Sequence, residues 1–327
     1  MCVGSGLALW VNDRVRSRGL TFFTMFKFDF GGQDAEPDAS QGQPHAESSL
    51  VPAQLCSLEY LSQHEPRISY TKDSFGIPRR DLFDVRYELM SADDMSEEEK
   101  LLLSGTEDVR KNVYEGGLKV WEGTNDLLEV LSASTQQYTN CAELGCGAGL
   151  PICFLFHKAL TTHSAGKYVL ADYNSAVLRL LTMPNVVLSW LAATNNAAVQ
   201  EDHGELVISQ EMVRAMLEDL RNREIEVLFV TGAWSSDFSS LIGNDAYDLV
   251  LASETIYSLD SIKEFTSVLQ SALKPESGVG LVAAKKIYFG VGGGVVEFEL
   301  LLDQRFMAHK IIYEKGSVGR VVLQVSK

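Results

Sequence analysis

From about residue 141 to the end of the chain, short apolar runs alternate with longer stretches in which apolar positions recur every three or four residues. Runs of four to six apolar residues suit strands covered on both faces, and the longer spacing suits helices packed on them. The pattern predicts strands at 141–144, 167–172, 225–230, 247–252 and 279–284. Two more, at 308–313 and 320–325, close the chain as a hairpin turning at Lys315 and Gly316. Helices are expected at 150–159, 174–181, 210–223, 259–273 and 296–304, with continuation of the second past Pro184 left open. Strand and helix taking turns in this way is the mark of an α/β fold with a mostly parallel sheet.

The amino-terminal third has no such rhythm. Residues 31–66 are rich in Gln, Ser, Pro, Ala and acidic side chains without helical or strand period. Such a segment cannot bury enough apolar surface to order itself, so 1–66 are expected to be a disordered tail. Residues 67–110 form an appendage, with short strands or turns over 67–86 and a capped helix start in SEEEKLLL (96–103). Residues 111–327 then make up the main domain, and no internal repeat is present.

Composition narrows the partners. A formal net charge of −16 argues against direct nucleic-acid binding and favours a basic protein segment. The local acidic run of Asp93, Asp94, Glu97, Glu98 and Glu99 reads as a solvated face. Five cysteines (Cys2, Cys56, Cys141, Cys146, Cys153) show neither CxxC nor zinc spacing, and the six histidines are scattered. A reducing compartment and no metal are therefore expected. The apolar stretch 2–11 lacks a preceding basic segment, and no apolar run approaches membrane-spanning length. The expectation is an intracellular protein with no membrane partner.

The stretch CAELGCGAGL (141–150) carries the most chemistry. A short strand runs into Gly145, Gly147 and Gly149 and then into a helix whose first N–H groups lack partners. The spacing is GxGxG, not the GxGxxG of pyrophosphate binding. Glu143 precedes the first glycine, where it can meet a cationic amino group. Asp172 ends the next strand, where a carboxylate can accept two ribose hydroxyls. A ligand that is part amino acid and part nucleoside fits this set better than a dinucleotide does. Later strands end in TGAW (231–234), where Trp234 either lies against an adenine or joins the core, and in ASETIY (252–257). The fifth ends in YFGVGGG (288–294), whose four glycines in five positions make either a mobile hairpin or a backbone surface open to close approach.

With these segments in view, the chain resembles the protein-histidine N-methyltransferases that modify a large-subunit ribosomal protein. The matching blocks are YEGGLKVWEGTNDLLEVL (114–131), ELGCGAGL (143–150), ADYNSAVLRLLTMPNVV (171–187), TGAW (231–234), YDLVLASETIY (247–257) and AAKKIYFGVGGGV (283–295). MFKFDFGG (25–32) also looks like that family's amino terminus. The resemblance implies a class I methyltransferase Rossmann-like sheet, mostly parallel with an antiparallel carboxyl-terminal strand, and S-adenosyl-L-methionine as cofactor. Carried over residue by residue, it implies cofactor contacts at Val120, Trp121, Glu122, Gly123 and Thr124, at Gly145, at Asp172, Tyr173 and Asn174, at Gly232, Ala233 and Trp234, and at Ser253. To these the glycine motif adds Glu143, Gly147 and Gly149. Glu143 stands where many members have Asp, and Gly123 where a larger side chain is common. The match is poor over 67–108 and the last 25 residues or so.

Methyl transfer to a neutral imidazole needs orientation and the right tautomer more than a strong base. Glu254 is the candidate to accept the ring's far N–H, with Tyr257 shaping the pocket. By resemblance the acceptor is the distal (tele) nitrogen of one histidine of ribosomal protein L three, and the setting is cytoplasm and nucleus. Lysine methylation and a binding or chaperone module without turnover are the competing readings on the same fold; a small-molecule methyltransferase is a third. Residues 1–24 are expected to be dispensable and to lie outside the translated protein, because the resemblance starts at Met25. Arg14, Arg16 and Arg18 there stand among small and polar residues with no repeating apolar face, which leaves a mitochondrial presequence as the alternative. Peptide mapping of the native amino terminus is expected to begin at Met25; an intact peptide spanning Arg18 to Lys27 would overturn this.

Overall fold

The computed structural model describes residues 50–90, 99–100, 120–194, 197–288, 292–316 and 319–327. Its centre is an eight-stranded sheet in the order β1-β7-β5-β4-β8-β9-β11-β10. The strands are β1 (Gln54–Cys56), β4 (Asn140–Leu144), β5 (Gly166–Asp172), β7 (Ile225–Thr231), β8 (Leu249–Ser253), β9 (Val279–Lys285), β10 (Ala308–Lys315) and β11 (Arg320–Ser326). β4, β5, β7, β8 and β9 run parallel, and β11 lies antiparallel between β9 and β10. In the order of the five parallel strands the chain starts at β4, moves outward to β7, and then returns to the other side of β4 at β8. That reversal opens a crevice at the carboxyl ends of β4 and β8. The fold class matches the sequence expectation.

Successive strand residues point to opposite faces and feed two cores. Leu249 and Leu251 of β8 join one apolar cluster, Val250 and Ala252 the other. All four are buried, which is why the strands read as unbroken apolar runs. The predicted strands and helices all occur, with shifted ends. The expected helix at 259–273 starts later, at Ile262, and Tyr247 makes only an isolated bridge to Leu273 outside β8. The helix Glu122–Ala133, which packs on β9, β8 and β11, was not expected as a helix.

Two domain expectations need correction. The proposed disordered tail through residue 66 contains β1, which pairs antiparallel with the edge of β7, and the helix Glu59–His64 with Leu61 fully buried. Its order comes from an edge contributed by distant residues, Gln54 pairing with Thr231 and Cys56 with Phe229, which local composition does not report. The appendage 67–110 is also not a separate unit. β2 (Arg67–Lys72) and β3 (Pro78–Arg80) form a second sheet with β6 (His203–Val207), in the order β3-β2-β6. The helix start predicted at 96–103 lies outside the described residues, except for helical Glu99 and Lys100.

The segment 175–193 does continue past Pro184. Ser175–Ala193 forms one helix of 19 residues, long and apolar enough to cross a membrane by length and composition, but 83% buried inside the protein. The absence of a membrane-length apolar segment in the sequence reading is corrected accordingly. Pro184 has no N–H to give the preceding turn, and the register is absorbed by a π turn at Leu178–Thr182. Arg80 Nη1 donates to the Leu180 carbonyl at 2.7 Å. The same guanidinium, its side chain 1% exposed, is paired with Asp84 at 2.7 Å and Glu88 at 2.5 Å. The Arg80 N–H donates to Asn185 Oδ1 at 2.7 Å.

Removing Arg80 strands a buried carboxylate and a buried carbonyl at once. Arg80→Leu is therefore expected to lower the unfolding free energy by about 3–5 kcal/mol, the usual cost of breaking a buried pair from one side. The Glu88 arm, being partly exposed, contributes least. Urea denaturation reads this directly, and a midpoint equal to that of the parent chain would refute it.

Candidate active site

At the carboxyl end of β4 the chain turns through Gly145, Gly147 and Gly149 with φ of 67°, 50° and 67°. Three left-handed residues in five are tolerable only because none carries a Cβ. The turn is stitched to the neighbouring strand: Cys146 N–H donates to Ala171 O at 2.8 Å, and Gly147 N–H to Asp172 Oδ2 at 2.9 Å. Asp172 Oδ1 accepts from Asn174 N–H at 3.1 Å. A carboxylate oxygen has two acceptor lone pairs, so holding the turn is compatible with accepting ribose hydroxyls. Below the turn, the π segment supplies Thr182, whose hydroxyl donates to Gly147 O at 2.5 Å, and the helical turn after it supplies Asn185, whose amide donates to Ala148 O at 2.8 Å. Sequence reasoning missed both; the TMPN stretch held no motif to mark them.

Glu143 sits wholly under this turn. Its Oε2 accepts the Ile152 N–H at 3.1 Å, at the start of the helix Leu150–Thr162. Burial pushes its pKa up to about 8, and the nearby Asp172 charge pushes the same way. A buried carboxyl in that state favours a positive charge beside it, in keeping with the amino end of the expected ligand. Glu143 therefore caps a helix from beneath the turn, and a cationic group bound beside it would draw it into the carboxylate form.

The segment before the helix Glu122–Ala133 closes the other side. Gly123 lies against the end of β8: a Cβ there would stand 2.7 Å from Ser253 Oγ and 3.1 Å from Glu254 Oε1. A larger residue there would require the Ser253 hydroxyl and the Glu254 carboxyl to shift. Thr124 Oγ1 is 3.5 Å from Ser253 Oγ, and Lys285 reaches both Glu122 (3.7 Å) and the Trp121 ring (5.4 Å from its centroid). Val120 packs on the apolar cluster that contains Ala148 and Leu150.

Gly232, Ala233 and Trp234 follow β7, but the amino-terminal segment lies over the first two. Ala233 N–H donates to Val51 O at 2.9 Å, and a Cβ on Gly232 would lie 2.4 Å from Pro52 O. Gly232 is thus demanded by the protein's own backbone, whatever else it touches. Trp234 packs on buried Phe265 with the rings tilted and their centroids 5.2 Å apart, on the core side. Tyr173 gives its carbonyl to Thr231 Oγ1 at 3.0 Å.

After β8 comes the most unusual backbone in the site. Glu254 adopts φ 56°, a strained choice for a side chain of that size, and such strain gathers at functional positions. Its Oε2 accepts the Tyr288 hydroxyl at 2.5 Å. Its Oε1 is buried without a hydrogen-bond partner, as is the hydroxyl of the next residue, Thr255. Burial raises the Glu254 pKa, opposed by the Tyr288 hydrogen bond and by Lys285. Tyr257 meets Tyr288 edge-on at 6.4 Å, and Gly293 N–H donates to Tyr257 O at 3.0 Å. The described part of the glycine-rich segment therefore packs on the loop that carries Glu254; residues 289–291 lie outside the described residues. Tyr288 and Thr255 were not singled out from sequence.

These features meet the requirements of an amino-acid-plus-nucleoside ligand: two buried carboxylates at adjacent strand ends, a glycine turn, and two buried oxygens awaiting partners. Comparison with known proteins decides the family. Histidine protein methyltransferase 1 of Schizosaccharomyces pombe is 35% identical over 319 residues, covering 92% of this chain and 93% of its own. Its counterpart in Saccharomyces cerevisiae is 39% identical over 258 residues, covering 69% and 68%. The chain belongs to the histidine protein methyltransferase family. It is an S-adenosylmethionine-dependent protein-histidine N-methyltransferase. No protein-family model matches it. Among solved structures, an O-methyltransferase family protein from Burkholderia thailandensis overlaps 76% of this chain and 68% of its own at 10% identity and a TM-score of 0.40. The family assignment rests on the sequence relatives.

For a histidine protein methyltransferase, the residues that could hold S-adenosylmethionine are Gly145–Gly149 with Glu143 and Asp172, flanked by 120–124 and Ser253. Asp172→Ala is expected to weaken cofactor binding by about 1–3 kcal/mol, because hydroxyls lose a charged acceptor and the turn loses its anchor. Titration calorimetry checks it; slowed turnover with unaltered cofactor affinity would place Asp172 outside the pocket. Gly147→Arg, which fills the turn, should abolish binding while the far-ultraviolet circular dichroism stays that of the parent.

Proposed function

We propose that this methyltransferase acts on the distal (tele) nitrogen of a histidine in large-subunit ribosomal protein L three, in cytoplasm and nucleus. The observation that carries the mechanistic reading is the Glu254 carboxylate: strained, held at one oxygen, and unpartnered at the other. Bound in the glycine crevice, S-adenosylmethionine supplies an electrophilic methyl group on a positively charged sulfur. The acceptor must be a neutral imidazole with its lone pair in line with that methyl. Glu254 Oε1 accepting the N–H on the near nitrogen fixes the tautomer and turns the lone pair of the distal nitrogen outward. With the methyl supplied by that sulfonium, which would leave as a neutral thioether, the ring would become a methylated imidazolium, and Glu254 would hold its remaining N–H. Tyr257, packed on Tyr288, forms a wall for the ring.

The charge balance of the chain supports a basic target. A net charge of −16 over the sequence attracts a cationic protein and repels phosphate backbones. We infer no direct nucleic-acid or membrane contact. The reading also separates histidine from lysine chemistry in physical terms. A lysine acceptor enters as an ammonium and must lose a proton before attack, whereas imidazole has a free lone pair near neutral pH.

Incubation with labelled S-adenosylmethionine and the ribosomal protein, followed by mass spectrometry, is expected to place the label on the distal nitrogen of one histidine. Label on lysine, or on the near nitrogen, would overturn the reading. Glu254→Gln should lower turnover about 10²-fold or more, in the range typical of a positioned polar group acting on the reacting ring, and leave cofactor affinity unchanged. Equal losses in turnover and cofactor affinity would reassign Glu254 to the cofactor pocket.

A further inference from the structure

We propose that Tyr288 is a positioning residue: its hydroxyl holds Glu254 Oε2 and so presents Oε1 as the acceptor for the substrate N–H. The inference rests on the reading of Glu254 as that acceptor, and it concerns a residue outside the cofactor and acceptor set named so far. Three observations converge on it. The Tyr288 hydroxyl donates to Glu254 Oε2 at 2.5 Å and itself accepts the Lys285 N–H at 3.2 Å, so its direction is fixed from both sides. Its ring packs on Tyr257. Oε1 of the same carboxylate is buried and makes no full hydrogen bond; the Gly123 backbone, whose N–H lies towards the carboxylate, is beside it.

Both ends of this arrangement are rigid. Glu254 is pinned in the left-handed region, with its N–H donating to Ala283 O at 2.9 Å. Tyr288 follows directly from the end of β9, which also carries Lys285. A carboxylate free to rotate about its last bond would present either oxygen, or turn away from the crevice. One donor of fixed direction selects a single orientation, which is the condition for fixing a substrate tautomer.

The groups facing Glu254 set the sign of its pH response. Burial raises its pKa; Tyr288, Lys285 and the Gly123 N–H lower it, and Glu122 raises it. The acceptor role needs the carboxylate, so activity is lost as pH falls through the folded-state pKa. Removing the Tyr288 hydroxyl takes away a lowering influence and moves that acid limb to higher pH. Protonation of the substrate histidine adds its own acid limb, but that limb is the same for both enzymes.

The test is Tyr288→Phe in the full chain, which keeps the ring and deletes one oxygen. The expected result is a kcat reduced about tenfold, the loss of one charge-assisted hydrogen bond, with an acid limb of kcat/KM displaced upward and cofactor affinity unchanged. In a Glu254→Gln background the same substitution should have almost no further effect. An acid limb at its original pH, or losses that add fully in the double variant, would overturn the proposal. Should Tyr288→Phe not fold, a difluorotyrosine at 288, a stronger donor of the same shape, must move the limb downward. If Glu254→Gln alone leaves turnover intact, the acceptor reading fails instead; if it slows turnover while Tyr288→Phe changes nothing, only the role of Tyr288 fails.

Discussion

The carboxylate of Asp172 ties together the loops that follow two neighbouring strands. One oxygen takes the Gly147 N–H, the other the Asn174 N–H, so a single side chain sets the glycine turn after β4 relative to the loop after β5. Hydrogen bonds to a carboxylate out of full contact with water are strong and costly to break. The turn in turn orients the start of the helix Leu150–Thr162, where Glu143 accepts the Ile152 N–H from below. Cofactor chemistry is thus built on a handful of backbone N–H groups whose directions are set by two acids.

The same turn is braced from its outer side by residues with no direct part in chemistry. Thr182 and Asn185 hold the carbonyls of Gly147 and Ala148. Asn185 also accepts the backbone N–H of Arg80, and Arg80 takes the Leu180 carbonyl. A continuous path of hydrogen bonds therefore runs from the small amino-terminal sheet, through the π turn, to the glycine loop. The described residues from 50 to 90 are part of the scaffold that shapes the site. β1 makes the same point at the other edge, where 51–53 lie directly over Gly232 and Ala233.

On the opposite side of the crevice the protein stores strain. Glu254 in a left-handed conformation costs on the order of 1 kcal/mol or more, and two buried oxygens on consecutive residues go without partners. A fold selected for stability alone would remove all three features. Tyr288, Lys285 and the close-packed Gly123 keep them in place. The loop that carries Glu254 thus meets the start of the helix Glu122–Ala133 at the end of β8.

Much of this was legible in the linear pattern, because the parallel strands are buried on both faces and the crossover helices are amphipathic, so each element writes its period locally. CAELGCGAGL, Asp172 and the ETIY block could be assigned to strand ends for the same reason: turns and helix starts need particular residue types whatever surrounds them. The pairing of Glu254 with Tyr288 needed β8 and β9 to be neighbours, a relation between residues 34 apart. The ordering of 50–66 needed the free edge of β7, and the fit of Gly123 needed Ser253 beside it. The support given by Thr182 and Asn185 needed a π turn that no periodicity announces. Local chemistry therefore determined the elements and the cofactor turn. Tertiary structure alone decided which side chains stand across the crevice from one another, because contacts between distant segments leave no trace in the spacing of either one.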